Sequence, residues 1–183
     1  HMHDGRWERC ECHSVFGKTL GIVGMGKIAY ETARRAHAFG MNVLYYDAVS
    51  NEKAEKAFGA QRKSFDEVLA KADFVTVHLP LTEQTRGFFD YPTICKMKKS
   101  AYLINTARGP IVDENGLYQA VKLGKIAGAA IDVFDCEPKE DSILRELDNV
   151  ILTPHVGTFT KEIFIRMDVV AAQNVIDFFE NKR

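Results

Sequence analysis

Short apolar runs alternate with amphipathic stretches along most of this chain of 183 residues. The amphipathic stretches have the spacing of helices with one buried face, at 28–39, 64–71, 93–97, 113–123 and 161–180. The apolar runs have the length of buried strands, at 19–23, 43–46, 74–79, 101–105, 126–133 and 150–153. Strands that are apolar on both faces are typical of a parallel sheet covered by helices. The pattern therefore predicts an α/β fold with one doubly wound parallel sheet.

Charge and hydropathy narrow the class of partner. The chain carries 24 Lys and Arg against 25 Asp and Glu, which gives a formal net charge of -1. This balance does not favour a nucleic acid or an anionic membrane surface as a partner. No stretch contains the roughly 18 consecutive apolar residues that a membrane-spanning helix needs. We therefore expect neither nucleic acid nor membrane among the partners.

The four cysteines are Cys10, Cys12, Cys95 and Cys136. They are too few for a disulfide scaffold at this length, so we expect a reducing, cytoplasmic location. Cys10 and Cys12 lie near His3 and His13, but their spacing is not that of a zinc site. The sequence therefore predicts no metal.

A glycine motif follows the first predicted strand. Residues 24–29, GMGKIA, fit the pattern GxGxxG/A between a strand and a helix. In that context Gly24 permits the tight turn, and Gly26 lets the backbone approach a pyrophosphate. Asp47, at the end of the second predicted strand, can accept hydrogen bonds from ribose hydroxyls and would repel a 2′-phosphate. The motif predicts an NAD site; the alternative is a glycine turn that serves packing only, with Asp47 as an ordinary loop acid.

Three charged residues, Arg108, Glu137 and His155, follow late predicted strands. Open parallel sheets bind their ligands at the carboxyl ends of the strands. An arginine can hold a carboxylate through two hydrogen bonds, a histidine can exchange a proton near neutral pH, and a glutamate can orient that histidine. These residue types suit hydride transfer between a 2-hydroxy acid and a nicotinamide. By spacing alone, a surface arginine, a solvated glutamate and a loop histidine remain the alternative.

At these residues the sequence resembles the D-isomer-specific 2-hydroxyacid dehydrogenases. The matching segments follow the family's order and cover nearly the whole chain: GKTLGIVGMGKIA (17–29), VTVHLPLTEQTRGFF (75–89), AYLINTARGPIVDE (101–114), AGAAIDVFDCEP (127–138) and LTPHVG (152–157). The resemblance implies a Rossmann-type NAD-binding domain in which Arg108 binds and polarises the substrate. It also implies that His155, paired with Glu137, exchanges the proton.

The resemblance further implies nine cofactor contacts beyond Gly24, Gly26 and Asp47. They are Lys27 and Ile28 at the pyrophosphate turn, Thr85 near the phosphates, His78, Leu79 and Pro80 on the adenosine side, and Thr106, Ala107 and Asp132 at the nicotinamide. Asp132 would bind the carboxamide. Formate dehydrogenases are similar but carry Gln at the position of Glu137, which argues against that branch.

Family members also contain a second, smaller substrate domain. None of the matching segments in this sequence corresponds to it. We expect a lead-in with a remnant of the interdomain helix at 1–16, the dinucleotide-binding domain at 17–158 and a C-terminal helix at 159–183. We therefore expect NAD binding with little turnover by the chain alone. The implied partners are a small 2-hydroxy or 2-keto acid and a second copy in a homodimer, and the identity of the acid stays open.

Two other classes of function remain as alternatives. One is an NAD-sensing interaction module, like the corepressors that share this fold and these motifs. Those proteins retain Arg108, Glu137 and His155 as well, so only turnover with 2-keto acids separates the two classes. The other is a degenerate domain that binds nothing, against which the intact Gly24 and Asp47 argue.

Overall fold

The fold was obtained as a computed structural model, which describes residues 4, 5, 7 and 11–180. Its strands are β1 (Thr19–Val23), β2 (Asn42–Tyr46), β3 (Gln61–Arg62), β4 (Phe74–Val77), β5 (Tyr102–Asn105), β6 (Gly128–Ile131) and β7 (Val150–Leu152). They form one sheet in the order β3-β2-β1-β4-β5-β6-β7, and every neighbouring pair is parallel. The predicted doubly wound parallel sheet is confirmed.

Among the described residues, six α-helices connect or follow these strands. They are α1 (Lys27–Ala38), α2 (Glu52–Phe58), α3 (Phe65–Lys71), α4 (Tyr91–Ile94), α5 (Glu114–Lys122) and α6 (Lys161–Glu180), with short 3-10 helices at Gly109–Ile111 and Ile143–Glu146. Side chains cap the amino ends of α2 to α5, where Asn51, Ser64, Asp90 and Asp113 each accept a backbone N–H. Ser64 and Glu67 form a capping box at the start of α3, which explains why the helix begins where the sequence pattern placed it.

Both faces of the sheet are buried, as the continuous apolar strands require. Ile22 and Val23 are successive residues of β1 and both are fully buried. They belong to two different hydrophobic core clusters. Successive side chains of a strand point to opposite faces, so each face of β1 has its own core. Ala29, Ala33 and Ala36 bring α1 against one face, because their small side chains allow close approach.

Besides the two short 3-10 helices, the sequence missed one α-helix and one strand, and it placed another helix two residues late. Helix α2 and strand β3 lie between Asp47 and Ser64, where no element was predicted. Only Ala54 of α2 is buried, and both residues of β3 are exposed, so neither element has a hydrophobic pattern. Helix α4 begins at Tyr91 instead of the predicted residue 93, because Asp90 caps it.

Helix α6 has the predicted bounds, but its predicted apolar stripe is not buried. None of its residues is buried by the rest of the described chain, and Met167, Val170 and Phe178 are all exposed. Between residues 11 and 180, and at 4, 5 and 7, no helix combines the length and apolar character needed to cross a membrane.

The order of the strands determines where ligands can approach. From β1 the chain runs to β2 and β3 on one side, and then returns to β4 on the other side of β1. The connections leave a crevice at such a reversal, outside the carboxyl ends of the strands. The residues after β1, β4 and β5 therefore border a preformed binding region.

Candidate cofactor and proton-transfer site

The fold itself requires glycine at Gly24. This residue has a φ of +95°, a left-handed conformation that side chains rarely adopt. A Cβ atom built there would lie 2.9 Å from the backbone carbonyl carbon of His78. The turn after β1 thus packs directly on the chain that leaves β4.

Gly26 is different, because no close contact with the described residues requires a glycine there. Its φ of −80° suits any residue, and a Cβ atom there would meet no described atom within 4 Å. Gly26 is the residue just before α1, and it provides no side-chain cap, in contrast to the capping residues of α2 to α5; the first turn of α1 also contains no acid. The first N–H groups of α1 are therefore available to an anion that approaches over Gly26. We call these amides and Gly26 the pyrophosphate cradle, because they fit a pyrophosphate.

Asp47 is fixed beside this turn at the end of β2. Its Oδ2 accepts a hydrogen bond from Met25 N at 2.7 Å, and its Oδ1 accepts one from Val49 N at 3.2 Å. Arg62 of β3 donates to the carbonyl oxygens of Asp47 and Ala48 at 2.9 and 2.6 Å. A carboxylate oxygen has two lone pairs, so each oxygen retains capacity for a ribose hydroxyl.

A cleft of about 710 Å³ lies at the carboxyl ends of β1, β4 and β5. It is lined by Gly26, Lys27, Ile28, Ala29, His78, Leu79, Pro80, Leu81, Thr106, Ala107 and Arg108. Nine of these are among the site residues proposed from the sequence. The structure therefore brings together three segments that are separated by about 50 and about 30 residues in the chain.

His78 contributes an uncharged ring to this cleft. Its Nε2 lies 3.1 Å from the Thr76 hydroxyl, and burial lowers its pKa to about 4. The ring is therefore neutral at pH 7 and adds no positive charge.

Thr85 does not line the cleft. Its hydroxyl donates to the carbonyl oxygen of Pro80 at 2.6 Å and accepts a hydrogen bond from Thr82 N at 2.8 Å. Thr85 thus stabilises the turn that follows the cleft-lining residues 78–81, just after β4. Its contact with the phosphates of a cofactor stays a prediction.

Asn105 shapes the turn that carries Arg108, a role that sequence analysis missed. Its buried side chain donates from Nδ2 to the carbonyl oxygen of Arg108 at 3.0 Å and accepts from Ala107 N at 3.1 Å. The Arg108 side chain itself is exposed, and its Nη1 donates to the carbonyl oxygen of Ala107 at 2.6 Å. The signal in the sequence was a lone amide closing an apolar strand.

Glu137 and His155 form a hydrogen-bonded pair. The distance from His155 Nδ1 to Glu137 Oε2 is 2.7 Å, and Glu137 Oε1 accepts from Phe134 N at 2.9 Å. The hydrogen bond with His155 and that with Phe134 N lower the pKa of Glu137, so its carboxylate stays charged. The bond engages Nδ1 and leaves Nε2 as the ring nitrogen that can exchange a proton with a ligand.

Asp132 holds the loop that carries His155. Its Oδ1 accepts from the Thr153 hydroxyl at 2.5 Å and from Val156 N at 2.9 Å, and its Oδ2 accepts from Gly157 N at 3.0 Å. Burial opposes ionisation of Asp132, but these hydrogen bonds outweigh it and lower its pKa. His155 has a φ of +53°, a conformation that is unfavourable for a side chain and must be held by its surroundings. Sequence analysis did not predict this use of Asp132.

The cysteine and histidine residues near the amino end give no metal site that can be described. Cys10 and His3 lie outside the described residues. Within the described ranges, no group of three or more His, Cys, Asp or Glu side chains is placed to hold a metal ion.

The fold and the site define a Rossmann-type dinucleotide-binding domain, and comparison with known proteins identifies its family. Residues 1–157 match the family described as D-isomer specific 2-hydroxyacid dehydrogenase, NAD binding domain. The chain therefore belongs to this family.

Individual relatives agree with this assignment. The chain is 45% identical over 167 residues to a glyoxylate reductase of Korarchaeum cryptofilum, covering 91% of this chain and 50% of that protein. It is 46% identical over 164 residues to a D-3-phosphoglycerate dehydrogenase of Bacillus subtilis, covering 90% of this chain and 31% of that protein. The structure of an Aquifex aeolicus D-lactate dehydrogenase complexed with NAD and lactic acid superposes with a TM-score of 0.88 at 32% identity, covering 98% of this chain and 60% of that one.

The chain spans about half the length of the glyoxylate reductase and about a third of the phosphoglycerate dehydrogenase that it matches. What it shares with them is the cofactor-binding part. The alternative of a corepressor-like module is not favoured, because the matched relatives are named as dehydrogenases and reductases.

Proposed function

We propose that the whole protein is an oxidoreductase that interconverts D-2-hydroxy acids and 2-keto acids, and that this chain supplies both its NAD site and its proton-transfer pair. Gly26 carries the proposal: a glycine that neither backbone conformation nor packing requires, in front of uncapped helix N–H groups. A ligand that approaches the backbone closely is the physical reason for such a residue.

The cleft residues suggest how the cofactor would be held. The amides at Gly26 and Lys27 would bind the pyrophosphate, and Asp47 the ribose hydroxyls. The neutral His78 with Leu79 and Pro80 would border the adenosine, and Thr106, Ala107 and Asp132 the nicotinamide. A second phosphate on the ribose would meet the charge of Asp47, so we expect NAD to be preferred over NADP.

The proton-transfer residues would act on the substrate oxygen. Arg108 would hold the carboxylate of a 2-keto acid through paired hydrogen bonds, which orients the adjacent carbonyl. Protonated His155 would donate from Nε2 to the carbonyl oxygen, and neutral His155 would accept that proton in the reverse direction. Bound NADH supplies the hydride. Glu137 would keep the ring oriented through its hydrogen bond to Nδ1.

Steady-state turnover tests the proposal. A whole protein containing this chain is supplied with NADH and, in turn, glyoxylate, hydroxypyruvate and a bulkier 2-keto acid. We expect NADH oxidation with at least one of them, and a loss of at least about 100-fold in kcat in His155→Asn, because general acid catalysis typically contributes that much. Full activity in His155→Asn, or no oxidation with any 2-keto acid, would contradict the proposal.

The organisation of the chain follows from the same proposal. We infer that residues 17–158 form the dinucleotide-binding unit and that 159–183 lie outside it, which the exposed apolar face of α6 supports. We expect this chain alone to bind NAD with little turnover. We also expect a homodimer in a reducing, cytoplasmic compartment. Sedimentation of the whole protein tests the dimer, and a monomer at micromolar concentration would contradict it.

A further inference from the structure

The segment that carries Glu137 has no regular secondary structure of its own. It leaves β6 at Ile131 and reaches the 3-10 helix at Ile143. Glu137 Oε1 is bonded to Phe134 N of the same segment, so the position of its carboxylate depends on the position of the segment. Any group that fixes this segment also fixes the partner of His155.

Lys139 is an unusually covered lysine in this segment. Its side chain is only 15% exposed, whereas Lys71, in a surface ion pair with Glu67, is 57% exposed. Lysine is rarely buried unless it is paired. The Lys139 Nζ lies 3.2 Å from Asp135 Oδ1 and 3.8 Å from Asp141 Oδ1, two acids that flank Glu137 in the chain.

A third acid connects Lys139 to a different part of the fold. Glu114 lies in the first turn of α5, and its Oε2 is 3.9 Å from Lys139 Nζ. Its other oxygen, Oε1, accepts from the hydroxyl of the buried Ser142 at 2.7 Å. Glu114 therefore connects two points of the Glu137 segment, Lys139 and Ser142, to helix α5, which packs in the core.

We propose that Lys139 and Glu114 are positioning residues that hold the Glu137 carboxylate against His155. The effect of this positioning on catalysis rests on the proposed function, in which His155 exchanges a proton with the substrate. Neither residue touches the cofactor cleft or the reacting atoms. The competing explanation is that the two residues affect Glu137 only through their charges, and the two explanations predict different signs in one experiment.

The experiment follows the titration of the Glu137 carboxyl carbon by 13C NMR in the full chain. The titratable groups that act on Glu137 are His155, whose hydrogen bond lowers its pKa, and Asp132, whose charge raises it. If positioning is lost, Glu137 leaves His155 and its titration midpoint rises. By charge alone, removing Lys139 raises the midpoint but removing Glu114 lowers it, because loss of a neighbouring acid favours the carboxylate.

We expect the midpoint to rise in both Lys139→Met and Glu114→Ala, by at least half of the rise that His155→Asn causes. Lys139→Arg, which keeps the charge and can bridge the same acids, should restore the wild-type midpoint. Lys71→Met removes an exposed ion pair of the same kind and should have no effect. A fall in Glu114→Ala, or no change in Lys139→Met, would overturn the proposal.

Two further measurements keep the test decisive. If thermal melting shows that Glu114→Ala is unfolded, Ser142→Ala replaces it, since it removes only the hydroxyl bonded to Glu114, and an unchanged midpoint there counts against the proposal. NADH affinity should equal that of the wild type in the folded variants of Lys139, Glu114, Ser142 and Lys71. A wild-type chain that fails to bind NADH would count against the proposed function and would leave the titration result standing.

Discussion

Gly109 lies directly against the backbone of Phe134. A Cβ atom built at Gly109 would be 1.9 Å from the carbonyl carbon of Phe134 and 2.1 Å from its oxygen. Gly109 follows Arg108, and Phe134 begins the segment that carries Glu137. The turn proposed to bind substrate and the segment that orients His155 are therefore in contact through their backbones.

Gly109→Ala should separate these two parts. The methyl group has only backbone to push against, so we expect a loss of about 2 kcal/mol in the free energy of unfolding, as for overpacked cores. The Glu137 titration midpoint should also rise. Gly59→Ala is the control, because Gly59 is left-handed with nothing within 4 Å and should cost about 1 kcal/mol without moving Glu137. Equal effects of the two variants on the Glu137 titration midpoint would contradict the coupling between the Arg108 turn and the Glu137 segment.

The two glycines of the turn after β1 should behave differently. Gly26→Ala meets no described atom within 4 Å, so its unfolding free energy should fall by no more than about 1 kcal/mol, the preference for Gly over Ala at a helix N-cap. Its NADH affinity should fall at least about tenfold, a change of about 1.4 kcal/mol, because the methyl group occupies the approach to the amides. Gly24→Ala should lose stability as well, since its added carbon meets the backbone of His78. Isothermal calorimetry measures the NADH affinity and urea unfolding measures the free energy of unfolding. NADH affinity retained by Gly26→Ala would contradict a pyrophosphate site at these amides.

His78 should make the chain less stable in mild acid. Its pKa is about 4 in the folded chain against 6.5 for the ordinary group, so between these values the unfolded chain binds more protons. The stabilisation is fully present above pH 6.5 and is lost as the pH falls towards 4, at a total cost of up to roughly 3 kcal/mol. His78→Gln should flatten this part of the stability profile, measured by urea unfolding. His37→Gln, which changes an exposed histidine, should leave the slope intact; a slope equally steep in His78→Gln would refute the assignment.

Glu137 should control the pH dependence of turnover in the whole protein. In Glu137→Gln the carboxylate bonded to His155 Nδ1 is replaced by an amide, so the pH profile of 2-keto acid reduction should lose its high-pH arm. We expect kcat at neutral pH to fall about 10-fold to 100-fold, from initial rates between pH 5 and 9. Glu140→Gln alters an exposed acid of the same segment and should not shift the profile. An unchanged profile in Glu137→Gln would remove the basis for the pairing.

The sequence predicted the structural features that depend on a local pattern of residues. Strands such as β1 are apolar on both faces and stand out as runs, and Ser64 with Glu67 marks the start of α3 by a spacing of three. Helix α2 was missed because it buries little more than Ala54, and its stability comes from the Asn51 cap and packing that no periodicity reveals.

The supports of the site were less predictable than its main residues. The residue types of Arg108, Glu137 and His155, each after a strand, indicated their chemistry. The bonds from Asp132 to the His155 loop and from Glu114 to Ser142 join residues 21 to 28 positions apart. Such pairings depend on how strands and helices meet in space, and a single sequence contains no periodic signal for them.

The most direct test of the NAD site is a fluorescence titration of this chain with NADH and, separately, with NADPH. We predict saturable binding of NADH, clearly weaker binding of NADPH, and loss of NADH affinity in Asp47→Ala. Lys56→Ala, which alters an exposed ion pair on α2, should bind NADH as the wild type does. Absence of saturable NADH binding in the folded chain, or equal affinity for NADPH, would contradict an NAD site built from Gly26 and Asp47.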